Sequence, residues 1–126
     1  MRKQYHSRPG PDGRLIWDVD RLVALTHGLT PEWIQLADIG ELDETWWYDA
    51  EGDRPTCRSL VGHFRLMQEA DLAYPIIVCP DGRVMDGMHR VTKALLEGRE
   101  AIQAYRLPTL PPPDHVGVAL EDLPYD

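Results

Sequence analysis

The segment 75–107 constrains the fold more than any other part of the chain. Residues 76–79 are an apolar, largely β-branched run with the length of a buried strand. Residues 80–82, Pro-Asp-Gly, have the composition of a tight hairpin turn, because proline fixes φ and glycine adopts positive φ. Residues 83–85 then return as a second short strand. The sequence therefore predicts a hairpin at the centre of the domain.

A helix and a third strand complete this unit. Met88, Val91, Ala94 and Leu95 recur at helical spacing, and Gly98 stands where a C-terminal cap belongs. Residues 101–107 follow as a strand. The order strand, turn, strand, helix, strand predicts an α/β (α+β) domain with a small mixed sheet and packed helices.

The start of that helix, Asp86-Gly87-Met88-His89-Arg90, is the candidate functional site. A helix N-terminus presents unpaired N–H groups and partial positive charge, so it attracts anions. Gly87 lacks the Cβ that would keep a ligand from the backbone. The guanidinium of Arg90 has the planar geometry that suits phosphate oxygens. The motif therefore predicts a phosphate site, although Asp86 as a simple helix cap with a solvated Arg90 is the alternative.

This segment resembles the signature of the ParB/sulfiredoxin superfamily, in which a strand pair leads through a glycine turn and a basic pair into a helix. ParB-type domains carry GERR at that turn and sulfiredoxins carry GGCHR, whereas residues 86–90 here read DGMHR. A predicted strand near 33–39 and a predicted helix near 58–71 precede it in the same order. The resemblance covers about 33–107. It implies a fold whose glycine turn binds nucleotide phosphates, with ATP or CTP and Mg²⁺ as the expected ligands.

The resemblance also implies roles for individual residues. The residues expected to bind the phosphates are Gly87, Met88, His89 and Arg90, supported from the preceding loop and helix by Arg54, Thr56 and Arg58. The residues expected to bind Mg²⁺ or to act in catalysis are Asp86, His89 and Glu41, with Asp38 and Glu44 as alternatives to Glu41. Otherwise this acidic run is expected to be a solvated loop or the start of a helix. Phosphoryl transfer or nucleotide hydrolysis is the expected reaction.

Two departures limit what the resemblance implies. Met88 replaces the reactive cysteine of the sulfiredoxin motif, and a thioether cannot form the thiolate that sulfur chemistry requires. Reduction of a sulfinic acid and a redox cofactor are therefore not expected. The chain also has no residues left for the helix-turn-helix and dimerisation regions of chromosome-partitioning ParB proteins, so centromere binding is not expected.

The net charge and the cysteines restrict which ligands and partners are expected. The formal net charge is −8, which disfavours binding of duplex DNA because counterion release requires a basic face. Cys57 and Cys79 are expected to be buried free thiols. No recognised ligand spacing joins them to His63 and His89, so no zinc site is expected, and His63 is predicted to be a packed or surface histidine.

The 126 residues predict one domain with two appendages. Residues 1–13 are expected to be a flexible arm, and 14–107 the domain, with its core at 33–107 and a helical addition at 14–29. The Pro-rich, acidic tail 108–126 is expected to dock on the domain or on a partner. Since no run approaches the length of a membrane helix and no signal peptide is recognised, a cytoplasmic location without membrane contact is expected.

The triplet Trp46-Trp47-Tyr48 and the acidic, Pro-rich tail fit a second hypothesis. Leu60, Val61, Phe64 and Met67 share one face of a predicted helix. The triplet Trp46-Trp47-Tyr48 is expected to place two rings in the core, or one ring on a base or at an interface. The alternative function is a non-enzymatic interaction module with a vestigial nucleotide pocket, which binds a protein partner or a second copy.

Overall fold

The structure is a computed structural model that describes residues 3–48 and 53–125. These residues form three α-helices and two small sheets, which confirms the predicted α+β class. None of the described helices is long and apolar enough to cross a membrane. In chain order the elements are β1 (Tyr5–Arg8), β2 (Leu15–Asp18), α1 (Val19–Leu25), β3 (Glu32–Gln35), α2 (Cys57–Glu69), β4 (Ile76–Val78), β5 (Val84–Asp86), α3 (Met88–Leu96), β6 (Ala101–Arg106) and β7 (His115–Val116).

The larger sheet has the strand order β3-β6-β4-β5. β4 and β5 form the predicted antiparallel hairpin, and β4 pairs in parallel with β6. β3 pairs antiparallel with the other edge of β6. Since parallel neighbours need a crossover, α3 supplies the connection between β5 and β6. The predicted order of elements in this segment is therefore confirmed.

Alternation along β4 divides the interior into two clusters. Ile76 and Val78 point to the face on which α3 packs, with Val91 at its centre. Ile77 points to the opposite face, where it joins Trp17 in a second cluster. All three strand residues are nearly inaccessible to solvent. This double burial fixes the end of β5 and the start of α3, where the candidate site lies.

Tyr5–Arg8, which lie within the segment predicted as a flexible arm, instead form the strand β1. β1 pairs antiparallel with β2, and β7 from the tail pairs with the other edge of β2. His6 on β1 is buried, with its ring stacked on Trp17. The tail docks on the domain through the indole N–H of Trp17, which donates to the carbonyl of Pro111 at 2.8 Å, and through the buried Leu123.

The apolar face predicted for α2 is exposed to solvent. None of the thirteen described residues of α2 is buried, and Leu60, Val61 and Phe64 are 53%, 57% and 46% exposed. The helix turns another face to the domain, and Lys93 of α3 donates to the carbonyl of Gln68 at 3.0 Å near the end of α2. An apolar stripe identifies one face of a helix but not what covers that face.

The cysteines and tryptophans are placed as follows. Both cysteines are free, and Cys79 is buried as expected. Cys57 is exposed, contrary to expectation, because it begins the exposed helix α2. Trp46 and Trp47 pack against the α3-side cluster, so two of the three rings in the aromatic triplet contribute to the core.

Candidate functional site

The N-terminus of α3 has no side-chain cap. Gly87 is the N-cap residue with φ +110° and ψ 24°, and no side chain accepts a hydrogen bond from this end of the helix. The N–H of Val91 donates to the carbonyl of Gly87 at 3.0 Å. The N–H groups of Met88, His89 and Arg90 precede that first helical bond, so they have no intrahelical acceptor. Asp86 does not cap the helix, contrary to the alternative drawn from the sequence.

Gly87 serves packing as well as backbone geometry. A Cβ at this position would lie 2.6 Å from Cγ2 of Ile76 and 3.1 Å from Nη2 of Arg90. Its positive φ is also unfavourable for residues with a Cβ. The glycine therefore lets the start of α3 lie directly against β4, a requirement of the fold that precedes any role in admitting a ligand.

Gly87→Ala is expected to destabilise the domain by about 2–3 kcal/mol. Roughly 1–2 kcal/mol comes from backbone strain and about 1 kcal/mol or more from overpacking against Ile76. Gly98→Ala is the matched control, because Gly98 also has positive φ (+76°) but its added Cβ would meet nothing within 4 Å. Urea unfolding of the two variants measures the difference, and equal losses would show that the contact with Ile76 is unimportant.

Arg90 and Asp86 are bound to each other. Nη2 of Arg90 lies 2.8 Å from Oδ2 of Asp86, and their side chains are only 18% and 16% exposed. Nη1 of Arg90 donates to the carbonyls of Pro75 at 2.7 Å and Tyr74 at 3.0 Å. Burial raises the pKa of Asp86 above its ordinary value, and the Arg90 guanidinium opposes that effect. The predicted phosphate ligand thus ties α3 to the entry of β4 and is not a solvated side chain.

Glu41 has a structural contact as well. Its side chain is buried, and its carboxylate accepts the backbone N–H of Val84 in β5. Of its predicted alternatives, Glu44 pairs with Arg83 at 3.2 Å. Because Glu41 is buried, Asp86 is mostly buried and both carboxylates are already paired, neither fits the expected role of Mg²⁺ ligand.

A hydrogen-bonded chain of three side chains reaches the first turn of α3. Nε2 of His89 lies 3.0 Å from Nδ1 of His63 on α2, and Nε2 of His63 lies 3.3 Å from Oδ2 of Asp53. Asp53 also accepts from the hydroxyl of Ser59 at 2.5 Å and from the N–H of Arg54 at 2.9 Å. This hydrogen-bonded chain connects a carboxylate, through two imidazoles, to the N-terminus of α3.

Aromatic rings hold the two imidazoles in place. The Trp47 ring stacks on His63 at 4.3 Å and on His89 at 4.7 Å, with interplanar angles of 19° and 14°. The ring of Tyr48 meets His63 edge-on at 5.7 Å, and the Tyr48 hydroxyl lies 3.2 Å from that of Ser59. Stacking restricts ring rotation, so the hydrogen-bond geometry is preorganised.

The surroundings of His89 and Asp53 determine their protonation states. Burial, with a contribution from His63, lowers the pKa of His89 to about 4, so His89 is neutral at pH 7. The hydrogen bond from Ser59 lowers the pKa of Asp53 below its ordinary value, so Asp53 is a carboxylate. At neutral pH the imidazole of His89 and the carboxylate of Asp53 therefore both offer lone pairs that accept hydrogen bonds.

A groove of about 380 Å³ adjoins His63. Its lining is Asp53, Thr56, Arg58, Ser59, Gly62, His63 and Leu66. Thr56 is the N-cap of α2, and its hydroxyl accepts the N–H of Ser59 at 3.1 Å. Thus the structure brings the predicted Thr56 and Arg58 together with His63, which contacts the predicted His89. Nowhere in residues 3–48 and 53–125 do three His, Cys, Asp or Glu side chains group so as to hold a metal ion.

Sequence reasoning missed Asp53, Ser59 and the true contact of His63. Ser59, His63 and Met67 recur every four residues along α2, and this stripe is the partly covered side of the helix. That spacing was the available signal, but the apolar stripe beside it was stronger. Asp53 follows residues 49–52, which lie outside the described part of the chain, and no local pattern relates it to α2.

The comparisons with known proteins assign no family. The likeness of residues 86–90 to the ParB/sulfiredoxin turn therefore stays a prediction from the sequence, and the chemistry of the site depends on its geometry. No protein-family model, no curated protein and no solved structure matches this chain.

Proposed function

We propose that the chain binds a nucleotide through its phosphates, at the N-terminus of α3 and the adjoining groove beside α2. The observation that carries this proposal is the uncapped start of α3, where three N–H groups precede the first helical bond. Such a terminus attracts anions through its N–H groups and its dipole. His89 stands in its first turn and connects it to the groove through His63.

The phosphate ligands in this proposal are among those expected from the sequence, except that Arg90 is no longer one of them. Met88 and His89 offer backbone N–H groups, while Thr56 and Arg58 line the groove with a hydroxyl and a guanidinium. Arg90 acts as a positioning residue, since its guanidinium already has three acceptors. Mg²⁺ would accompany ATP or CTP and offset the charge of the phosphates. A cytoplasmic location, where these nucleotides are available, belongs to the same proposal.

Calorimetric titration with ATP, CTP, GTP and ADP in the presence of Mg²⁺ tests the proposal. We expect saturable binding that Arg58→Ala weakens by roughly 1.5–3 kcal/mol, the range of a charge-assisted hydrogen bond. Arg65→Ala is the matched control, because Arg65 is an exposed arginine of the same helix that does not line the groove. Arg65→Ala should leave the affinity unchanged.

Two results would contradict the proposal. If folded wild-type protein releases no heat with any of the four nucleotides, a nucleotide is not its ligand. Equal losses in Arg58→Ala and Arg65→Ala would mean that binding reflects general charge and not the groove.

A non-enzymatic interaction module is the second candidate function, and the outer face of α2 favours it. Leu60, Val61 and Phe64 are about half exposed on a helix that also carries the exposed Arg58 and Arg65. An apolar face with arginines beside it suits a protein partner whose own apolar patch is bordered by acidic residues. The absence of nucleotide heat in the titration above, from folded protein, would favour this candidate.

A further inference from the structure

Among the described residues, one nitrogen at the end of the Asp53–His63–His89 chain makes no hydrogen bond. Nε2 of His89 is bonded to His63, whereas Nδ1 of His89 has no hydrogen-bond partner among the described residues. His89 is only partly buried, in the first turn of α3. An imidazole with one nitrogen held and the other free is the arrangement of a group that reacts at the free nitrogen.

The carboxylate sets the direction of the hydrogen bonds. Asp53 is ionised and can only accept, so the proton between it and His63 lies on Nε2 of His63. In the tautomer of His63 that carries its proton on Nε2, Nδ1 accepts a hydrogen bond, and Nε2 of His89 carries the donated proton. This assignment leaves a lone pair on Nδ1 of His89, as a nucleophile requires.

We propose that Asp53, His63 and His89 form a proton relay that makes Nδ1 of His89 a nucleophile toward phosphoryl groups, so that the chain carries a phosphohistidine at position 89. The inference rests on the proposed function for the identity of the donor, a nucleoside triphosphate. Asp53 and His63 act through His89 and are positioning residues, and His89 is the residue that touches the reacting phosphorus.

The step balances in atoms and charge. The lone pair of Nδ1 attacks the terminal phosphorus, the N–P bond forms, and the bond from phosphorus to the bridging oxygen breaks, releasing the nucleoside diphosphate. As the His89 ring becomes cationic, its Nε2 proton passes to Nδ1 of His63. The resulting imidazolium of His63 is stabilised beside the carboxylate of Asp53, which stays ionised.

Three features of the surroundings favour this chemistry. His89 is unprotonated at neutral pH, so its lone pair is available. The stack on Trp47 holds both imidazole rings in line without further ordering cost. The unpaired N–H groups at the start of α3 can stabilise charge on a phosphoryl group near His89.

Phosphoramidate tests the nucleophile, because this small donor transfers its phosphoryl group to histidine and releases ammonia without a nucleotide site. Mass spectrometry and ³¹P NMR would follow the label. We expect His89 to be modified at least about tenfold faster than His27, an exposed histidine outside the relay. His89→Gln should abolish the fast label, and Asp53→Asn should slow it about tenfold, since the relay then lacks its carboxylate.

A second measurement on the wild type needs no variant to fold. Nitrogen chemical shifts of the histidine rings report the tautomers, and the relay requires the proton of His89 on Nε2. The proposal is overturned if His89 carries its proton on Nδ1, if it is labelled no faster than His27, or if folded Asp53→Asn protein is labelled at the wild-type rate.

The outcomes separate this inference from the proposed function. A rapid label on His89 without nucleotide heat would support the nucleophile and remove the nucleotide as its donor. Saturable nucleotide binding without a rapid label on His89 would support the phosphate site and overturn the relay.

Discussion

Arg90→Met is expected to destabilise the fold by about 3–5 kcal/mol, the cost of breaking a mostly buried ion pair by removing one partner. The substitution leaves the carboxylate of Asp86 without its guanidinium partner in a largely buried position. It also removes the donors to the carbonyls of Tyr74 and Pro75, which lead into β4. Methionine keeps the apolar length of the side chain, so the loss reflects hydrogen bonds and charge.

Arg99→Met is the control for this prediction. Arg99 pairs with Glu97 at 3.0 Å, but their side chains are 53% and 41% exposed. Solvent-exposed pairs contribute about 0–1 kcal/mol, so urea unfolding of Arg99→Met should stay close to the wild type. If Arg90→Met is as stable as Arg99→Met, the Arg90 contacts do not hold α3, and Arg90 returns as a candidate for binding phosphate directly.

Lowering the pH is expected to reduce the free energy of unfolding, because His6 is buried in its neutral form. Its ring lies between Trp17 and Trp46, with centroids 5.7 and 5.6 Å away, and its Nε2 accepts from Nε of Arg8 at 2.9 Å. Burial, followed by the charge of Arg8, lowers the pKa of His6 from 6.5 to about 3. Between these two pKa values, His6 is therefore neutral in the folded state and protonated in the unfolded state.

The sign and range follow from that pKa. Above pH 6.5 neither state is protonated at His6, and the stability is complete. As the pH falls from 6.5 to 3, only the unfolded chain takes up the proton, so stability declines by about 1.4 kcal/mol per pH unit, or about 5 kcal/mol in all. His89, with a folded pKa of about 4, adds a smaller share between pH 6.5 and 4, because it is only partly buried and more screened by solvent than His6.

Urea unfolding at intervals from pH 7 to 5 measures this slope above the range in which ordinary carboxylates titrate. His6→Gln should be less stable at pH 7 but should lose the steep part of the pH dependence. His27→Gln is the control, since His27 is exposed, and should retain the wild-type slope. A flat wild-type profile down to pH 5 would contradict the burial of a neutral His6.

The central unit could be predicted from the sequence because its signals are local. The turn at Pro80–Gly82, the apolar run before it and the spacing along α3 each act within about ten residues. β1 was missed because its four residues alternate weakly, and the strand exists by pairing with β2 and by enclosing His6. The outward face of α2 was missed because composition does not determine which side of a helix meets the core.

In the candidate site, too, local features could be predicted from the sequence and tertiary contacts could not. Residues 86–90 were identified from one motif, and the spacing of Asp86 and Arg90, four apart at a helix start, already allowed an ion pair. The contact of His63 with His89 spans 26 residues and exists because α2 lies beside α3. No spacing rule relates positions so far apart, so this contact could only come from the tertiary structure.

The shallow attachment of α2 has a consequence for motion. Because α2 buries none of its described residues, it can open locally without exposing the clusters on either side of the sheet. Such an opening would separate His63 from His89 while the sheet and α3 stay intact. The reactive arrangement would then exist only in the fraction of molecules in which α2 is closed. A partner that covers the apolar face of α2 and favours the closed form would raise that fraction. Binding at the apolar face of α2 would then be coupled to chemistry at His89.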